Sequence, residues 1–187
     1  MIYSFLQNGD SAVTVQFKNE ISEEVNRRVT GLCNRIEAKH IDGIVELVPT
    51  FASLTVFYDC TIISSKKLKK KVEALINGKE CDVKSTAKVW NIPVCYDDEF
   101  ALDMKNVCSH TTLEREEVIK LHTSKPYLIY MLGFLPGFAY LGGMDERLFT
   151  PRLKTPRLEI FEGAVGIGGE QTGIYPIASP GGWQLIG

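Results

Sequence analysis

A chain of 187 residues with 44% apolar content can bury one large core or two small ones, and it reads as an ordinary soluble globular protein. A formal net charge of −2, with acids and bases interspersed, argues against a nucleic-acid or anionic-membrane partner. Five scattered cysteines with no C-x-x-C pair, three isolated histidines, and no leader-like or long apolar stretch predict reduced thiols, no metal, no membrane span and a cytoplasmic location.

Ser11 to Phe17 alternates Val13, Val15 and Phe17 with Thr14 and Gln16, the period of a strand with one buried face. Ser22 followed by Glu23 and Glu24 caps and charges a helix start, and Val25, Val29, Leu32, Cys33 and Ile36 recur at helical spacing to about Ala38. Gly43 breaks the chain. Ile44 to Val48 and Ser53 to Tyr58 then form a hairpin turned at Pro49 and Thr50. Ser64 or Ser65 opens a second helix, ended by Gly78, with Leu68, Val72, Leu75 and Ile76 on one side and five lysines mostly on the other. The lysine run is a solvated face with no site assigned, because nucleic-acid binding needs aromatics or arginines beside it. A strand near Lys88 to Val94 would complete a β-α-β-β-α-β order, an antiparallel sheet covered by two helices as in ferredoxin-like units. This α+β half spans residues 1–85, with the boundary between Gly78 and Lys88.

Thr112 caps a short helix with Glu114, Glu116 and Glu117 early and Val118, Leu121 and His122 late, and Pro126 ends it. Tyr127 to Met131 is a strand. From Gly133 onward lie twelve of the sixteen glycines, so short strands such as Ala164 to Ile167, Gly173 to Ile177 and Trp183 to Ile186 suggest a small closed or partly closed β-barrel in residues 86–187.

Four glycine-rich stretches, at Gly133 to Phe138, Tyr140 to Gly143, Gly166 to Gly173 and Ser179 to Trp183, are either ligand loops offering backbone N–H groups or corners of the barrel. No glycine precedes Lys-Ser or Lys-Thr, and Gly166-Ile167-Gly168 lacks the third Rossmann glycine, so neither standard nucleotide loop is present. Arg147, Arg152, Lys154 and Arg157 sit in a segment stiffened by Pro151 and Pro156, suited to a carboxylate, a phosphate or a carbonyl-bearing ring, with a solvated loop as the alternative. His122 has the intrinsic pKa of a general acid or base, although a histidine at a helix end also serves as a cap. Gln171 and Tyr175 can position a ligand or make buried structural bonds, and Trp183 is either an aromatic wall or core.

The ordered runs Gly133-Phe134-Leu135-Pro136-Gly137-Phe138-Ala139-Tyr140-Leu141-Gly142-Gly143, then Arg147, Thr150-Pro151-Arg152, Thr155-Pro156-Arg157, Gly163 to Gly169, Gln171-Thr172-Gly173-Ile174-Tyr175-Pro176 and Ser179-Pro180-Gly181-Gly182-Trp183 carry a likeness. Gly9-Asp10-Ser11-Ala12, Asn26-Arg27-Arg28-Val29, Val48-Pro49 and Ser53-Leu54 extend it to the first half. Together they resemble the KipI / PxpB family, whose members form the B component of 5-oxoprolinase and are also called allophanate hydrolase subunit 1. The resemblance implies a ferredoxin-like domain followed by a cyclophilin-like β-barrel, here expected to be C-terminally truncated because family members run some tens of residues further. It also implies work with PxpA-like and PxpC-like partner subunits, in a 5-oxoprolinase complex that uses ATP to open 5-oxo-L-proline to L-glutamate. The family's alternatives are a KipI-type inhibitor of a sporulation histidine kinase and a carboxyltransferase half-module of a urea carboxylase. The expected catalytic residues are Arg152 and Arg157, carried onto this chain by motif position, and His122, taken from its own titration chemistry. The expected substrate-binding residues are Gly133, Phe134, Arg147, Gly168, Gly169, Gln171 and Tyr175. The absence of a phosphate loop, nucleophile or metal set implies half a site that a partner completes.

Overall fold

A computed structural model of the chain describes residues 3–76 and 88–187. The chain divides into two compact units, Met1–Thr86 and Ala87–Gly187.

The first unit is a four-stranded antiparallel sheet with two helices packed on its apolar residues. Strands β1 (Ser4–Asn8), β2 (Ala12–Gln16), β3 (Ile44–Pro49) and β4 (Ser53–Tyr58) lie in the order β1-β2-β4-β3. The element order is therefore β-β-α-β-β-α, which corrects the expected β-α-β-β-α-β. The edge beside β2 is filled by the N-terminal strand β1, and residues 88–94 form no strand, leaving Val89, Trp90 and Ile92 exposed. Strand β1 carries a weak sequence signal because Leu6 lies on the sheet's open face, 48% exposed, and breaks the apolar alternation.

Helix α1 (Glu23–Lys39) starts where expected. The Ser22 hydroxyl accepts from Val25 N–H at 3.3 Å, and Glu23–Arg27 and Glu24–Arg28 pairs run along the exposed face. The helix stops at His40, whose φ of 45° lets its N–H reach back to the Glu37 carbonyl. In α2 (Ser65–Ile76), Leu68, Val72 and Ile76 are buried while Lys66, Lys67, Lys70 and Lys71 are exposed; the expected stop at Gly78 lies outside the described residues. Both helices join Val13, Val15, Leu54, Val56 and Tyr58 in one core, where each fully buried aliphatic side chain contributes about 2 kcal/mol. The other sheet face carries a polar ladder in which Asn8 donates to Thr14 and Thr14 bonds Thr55 at 2.7 Å.

The second unit opens with α3 (Met104–Thr111) and α4 (Arg115–His122). Helix α3 was not foreseen, since only Met104 and Val107 of its eight residues are buried and so little of it reads as amphipathic. Thr112 is consequently not an N-cap. It closes α3 with a left-handed φ of 58°, and α4 starts from a capping box between Glu114 and Glu117.

Strands β5 (Leu128–Leu132), β6 (Ala139–Gly142), β8 (Val165–Gly168), β9 (Gln171–Ile174) and β11 (Gln184–Leu185) form an antiparallel sheet in the order β11-β8-β9-β6-β5. Strands β7 (Arg157–Ile160) and β10 (Ser179–Gly181) pair separately. The β8/β9 register sets Ile167 opposite Thr172 and Gly166 opposite Gly173, so each strand divides its residues between two faces. Val165, Ile167 and Ile174 share a core with Met104 and Val107 of α3 and Val118 of α4. The opposite face carries Gly166, Gly168 and Gly173 and belongs to an aromatic core of Phe138, Tyr175 and Trp183. Among the described residues, no helix is long and apolar enough to cross a membrane.

Candidate functional site

Three glycines make a flat floor on the second face of the β8/β9 hairpin. A Cβ at Gly168 would overlap the Trp183 indole, and one at Gly173 would come within 3.0 Å of both Trp183 and Phe138. The indole thus lies directly on the sheet backbone, 5.4 Å and edge-on from the Phe138 ring. Phe138 in turn meets Tyr175 at 5.1 Å, and Phe134 meets the same two rings at 5.6 and 6.4 Å.

Phe134 is the exposed member of this cluster, at 57%. It holds a φ of 64°, a left-handed conformation that costs a bulky residue about 1–2 kcal/mol and persists only where the surroundings impose it. Its loop is closed by Gly133, which donates to the Phe138 carbonyl at 3.2 Å, while Leu135 N–H bonds the Gly133 carbonyl at 2.7 Å. Gly133 therefore shapes the loop that presents Phe134.

Arg152 lies over the indole, its guanidinium carbon 5.7 Å from the ring centroid, at cation–π range. The loop around it is pinned at two points: Leu153 N–H bonds the Gly182 carbonyl at 2.7 Å, and Gln184 Nε2 donates to the Pro151 carbonyl at 2.9 Å. Burial raises the Tyr175 phenol pKa, opposed by the Trp183 backbone amide and by the positive charges of Arg152 and Arg157. Both arginines are thus electrostatic neighbours of one hydroxyl.

Arg157 is anchored from behind. Its Nη2 donates to Asp103 Oδ1 at 2.7 Å, while Asp103 Oδ2 accepts Leu185 N–H at 2.7 Å. Asp103 is 2% exposed, so this pair ties the start of α3 to β7 and β11 where little water can compete. Arg157 Nη1 is enclosed without a hydrogen-bond partner among the described residues, as are Gln171 Nε2, Ser179 Oγ and Gln184 Oε1.

His122 belongs to the other face of the sheet. It is 6% exposed, with Nδ1 2.7 Å from the Tyr96 hydroxyl and Nε2 2.9 Å from Thr172 Oγ1. The Thr172 hydroxyl hydrogen goes to the Gly166 carbonyl at 3.0 Å, so Nε2 must carry the ring proton and Nδ1 accepts from Tyr96. Burial holds this imidazole neutral, its pKa pushed down to about 4. Both nitrogens are engaged inside the unit, which makes His122 a pin between α4, β9 and Tyr96 and leaves neither nitrogen free for proton transfer. Tyr127 closes the same corner by donating to the His122 carbonyl at 2.6 Å.

Of the expected site residues, Phe134, Gly133, Arg152, Arg157, Gly168 and Tyr175 thus gather on or around the aromatic cluster. Arg147 does not join them. Its side chain chelates Asp145 through two 2.9 Å bonds, which hold the Asp145 carboxyl down at about 2. Gly169 spends its backbone N–H and carbonyl on Thr150, at 2.8 and 3.3 Å. With Gly168 covered by the indole, this glycine turn offers no phosphate cradle. Gln171 is buried beside the turn. Asp103, Tyr96 and Thr172, none of them foreseen, hold Arg157 and His122 in place. Asp103 and Tyr96 are single polar residues in unremarkable sequence, Thr172 is hidden among the glycines of its stretch, and only long-range packing brings them to their partners.

Comparison with known proteins decides the lineage. Residues 3–187 match the family described as "Carboxyltransferase domain, subdomain C and D". The chain belongs to this family. It is 45% identical to the B component of the 5-oxoprolinase of Bacillus subtilis (strain 168), over 99% of this chain and 81% of that protein. It is 39% identical to the corresponding 5-oxoprolinase component of Haemophilus influenzae, over 95% of this chain and 82% of that protein. Among solved structures, the crystal structure of TTHA0988 superposes with a TM-score of 0.79 at 36% identity, covering 94% of this chain. The TTHA0988 chain is the larger of the two, and this chain spans 34% of it.

Proposed function

We propose that this chain is the PxpB-type component of an ATP-dependent 5-oxoprolinase, a cytoplasmic complex in which PxpA-like and PxpC-like subunits join it to open 5-oxo-L-proline to L-glutamate. The observation that carries the reading is the 45% identity with a 5-oxoprolinase component, sustained over 99% of the chain. TTHA0988 supports the need for a partner, because there the equivalent of this chain is one third of a continuous polypeptide.

The chemistry available on the chain agrees with a supporting role. The Gly166 to Gly169 turn is filled by Trp183 and bonded to Thr150, so ATP is assigned to another subunit and no phosphoryl step is routed through this one. What the chain offers is an arginine over an aromatic wall, able to orient an anionic substrate without activating water itself. Arg147 and His122, tied to Asp145 and to Tyr96 and Thr172, serve the architecture. We read the fold at the finer level as a ferredoxin-like sheet with its edge strand supplied from the N-terminus, followed by a cyclophilin-like barrel. The test is reconstitution with the PxpA-like and PxpC-like subunits. ATP-dependent release of glutamate from 5-oxo-L-proline is expected from the mixture and absent when this chain is omitted; activity without it sinks the reading. The family's name favours one competitor, a half-module of a carboxyltransferase, which biotin-dependent carboxyl transfer by the same mixture would reveal.

A further inference from the structure

A strand at the edge of a sheet offers backbone N–H and C=O groups to any other strand, and charge, proline, a bulge or a covering segment blunts that offer. The sheet edges of this chain are guarded unequally. In the first unit, β1 carries Ser4, Gln7 and Asn8, with Ser65 bonded to Gln7, and β3 carries Glu46 and ends on Pro49. In the second unit, β7 carries Arg157 and Glu159, and β10 has Pro180 at its centre. Strand β11 is covered by Asp103, whose N–H donates to the Leu185 carbonyl and whose Oδ2 accepts the Leu185 N–H. Strand β5 is the exception. It reads Leu-Ile-Tyr-Met-Leu, it has β6 on one side and no second strand among the described residues, and no charged residue falls between Lys125 and Asp145.

The one protective device that β5 has works the other way. A bulge between Ile129 and Met131 sets Ile129 opposite Leu141 and Leu132 opposite Ala139, so both side chains leave the sheet on the face of Thr172 and Ile174. Ile129 is 53% exposed and Leu132 62%, and Leu128 is exposed beside Gly142 on the other face. Tyr130, buried against Gly142, fixes the strand in place. A rigid, uncharged, apolar edge is a template for a further strand.

The edge is complementary to itself. Two copies of β5 laid antiparallel about a two-fold axis can set Ile129 of each against Leu132 of the other, on one face of a continuous sheet, with no like charges brought together. The exposed apolar residues 88–94 of a second copy fit less well. Pro93 has no N–H for a ladder, and pairing between two different segments leaves free edges that grow open chains. We propose that β5 is the seam of a two-fold dimer of this chain, joining the five-stranded sheets of two copies edge to edge. The inference is independent of the 5-oxoprolinase reading.

The seam is short, which puts it among weak, reversible interfaces, so sedimentation velocity over about 1–300 µM is the measurement. The mass of the wild-type chain is expected to rise from 20.9 kDa toward twice that value and to stop there. Leu132→Lys and, separately, Ile129→Lys each place a charge in the seam and are expected to weaken the dimer about tenfold or more. Leu158→Lys, at an exposed apolar position on β7, should leave it unchanged. Circular dichroism matching the wild type establishes that each variant is folded. A chain that stays monomeric throughout, a dimer indifferent to both β5 lysines, or growth past the dimer overturns the inference. So does association that appears only on adding the PxpC-like subunit and is blocked by Leu132→Lys, since the edge then belongs to that partner.

Discussion

A methyl group added at Gly168 would occupy space now filled by the Trp183 indole, and the ring has the β8/β9 backbone below it and Phe138 beside it. Gly168→Ala is therefore expected to destabilise the second unit by about 1–3 kcal/mol, the usual range for overpacking. A lowered denaturant midpoint together with altered tryptophan fluorescence checks this, and an unchanged midpoint would show that the ring is free to move aside. His122 supplies a second residue-scale outcome. Its folded-state pKa of about 4 lies below the ordinary histidine value of 6.5, so the unfolded chain binds the proton more readily. Stability from this group is complete above about pH 6.5 and falls as pH drops toward 4, by on the order of 3 kcal/mol in total. Replacing His122 by Gln, which can bond Thr172 but does not titrate, should flatten that part of the stability–pH curve. A curve that keeps its slope would place the proton uptake elsewhere. The glycine stretches show why residue types alone left two readings open: a close-packed indole and a bound ligand both demand a missing Cβ, and the sequence carries only the demand.

Elements whose signal is local were legible in the sequence. Helix α1 has its cap, its charged first turn and its apolar spacing within one stretch of chain, and it appears at Glu23–Lys39. Strand β4 likewise follows its own alternation, and β3 appears at Ile44–Pro49 beside it. Where the decision is long-range, the signal failed. Strand β1 exists because β2 offers it a five-residue register, and Lys88 to Val94, equally apolar, finds no partner strand among the described residues. Helix α3 has Asp103 at its start, which turns its carboxylate away from the cap to Arg157 and the Leu185 amide. The start of α4 is conventional by contrast. Glu114 N–H bonds Glu117 Oε2 at 3.1 Å, so Glu117→Ala is expected to cost about 1 kcal/mol, read as a small drop in thermal midpoint. No drop would mean that water replaces the box without loss.

On the scale of the whole molecule, composition and length left one large core or two small ones open, and the ordered motifs of the second half already pointed to the family that residues 3–187 match. The partner follows at this scale too. On the proposed reading, this protein should co-elute with its PxpC-like partner subunit in size-exclusion chromatography, and failure of the purified subunits to associate at micromolar concentration would count against it. By itself, the sequence determined the strand and helix types with local periodicity, the concentration of glycine and arginine in one half, and the absence of a standard nucleotide loop. Only the tertiary structure decided that Trp183 occupies the glycine floor, that His122 and Arg147 are spent on internal bonds, and that Arg152 is the arginine without an acidic or carbonyl partner among the described residues. The reason is physical. A side chain's availability depends on which distant groups fold against it, and those pairings, from Asp103 to Arg157 or from His122 to Thr172, join residues about fifty positions apart that no local pattern connects.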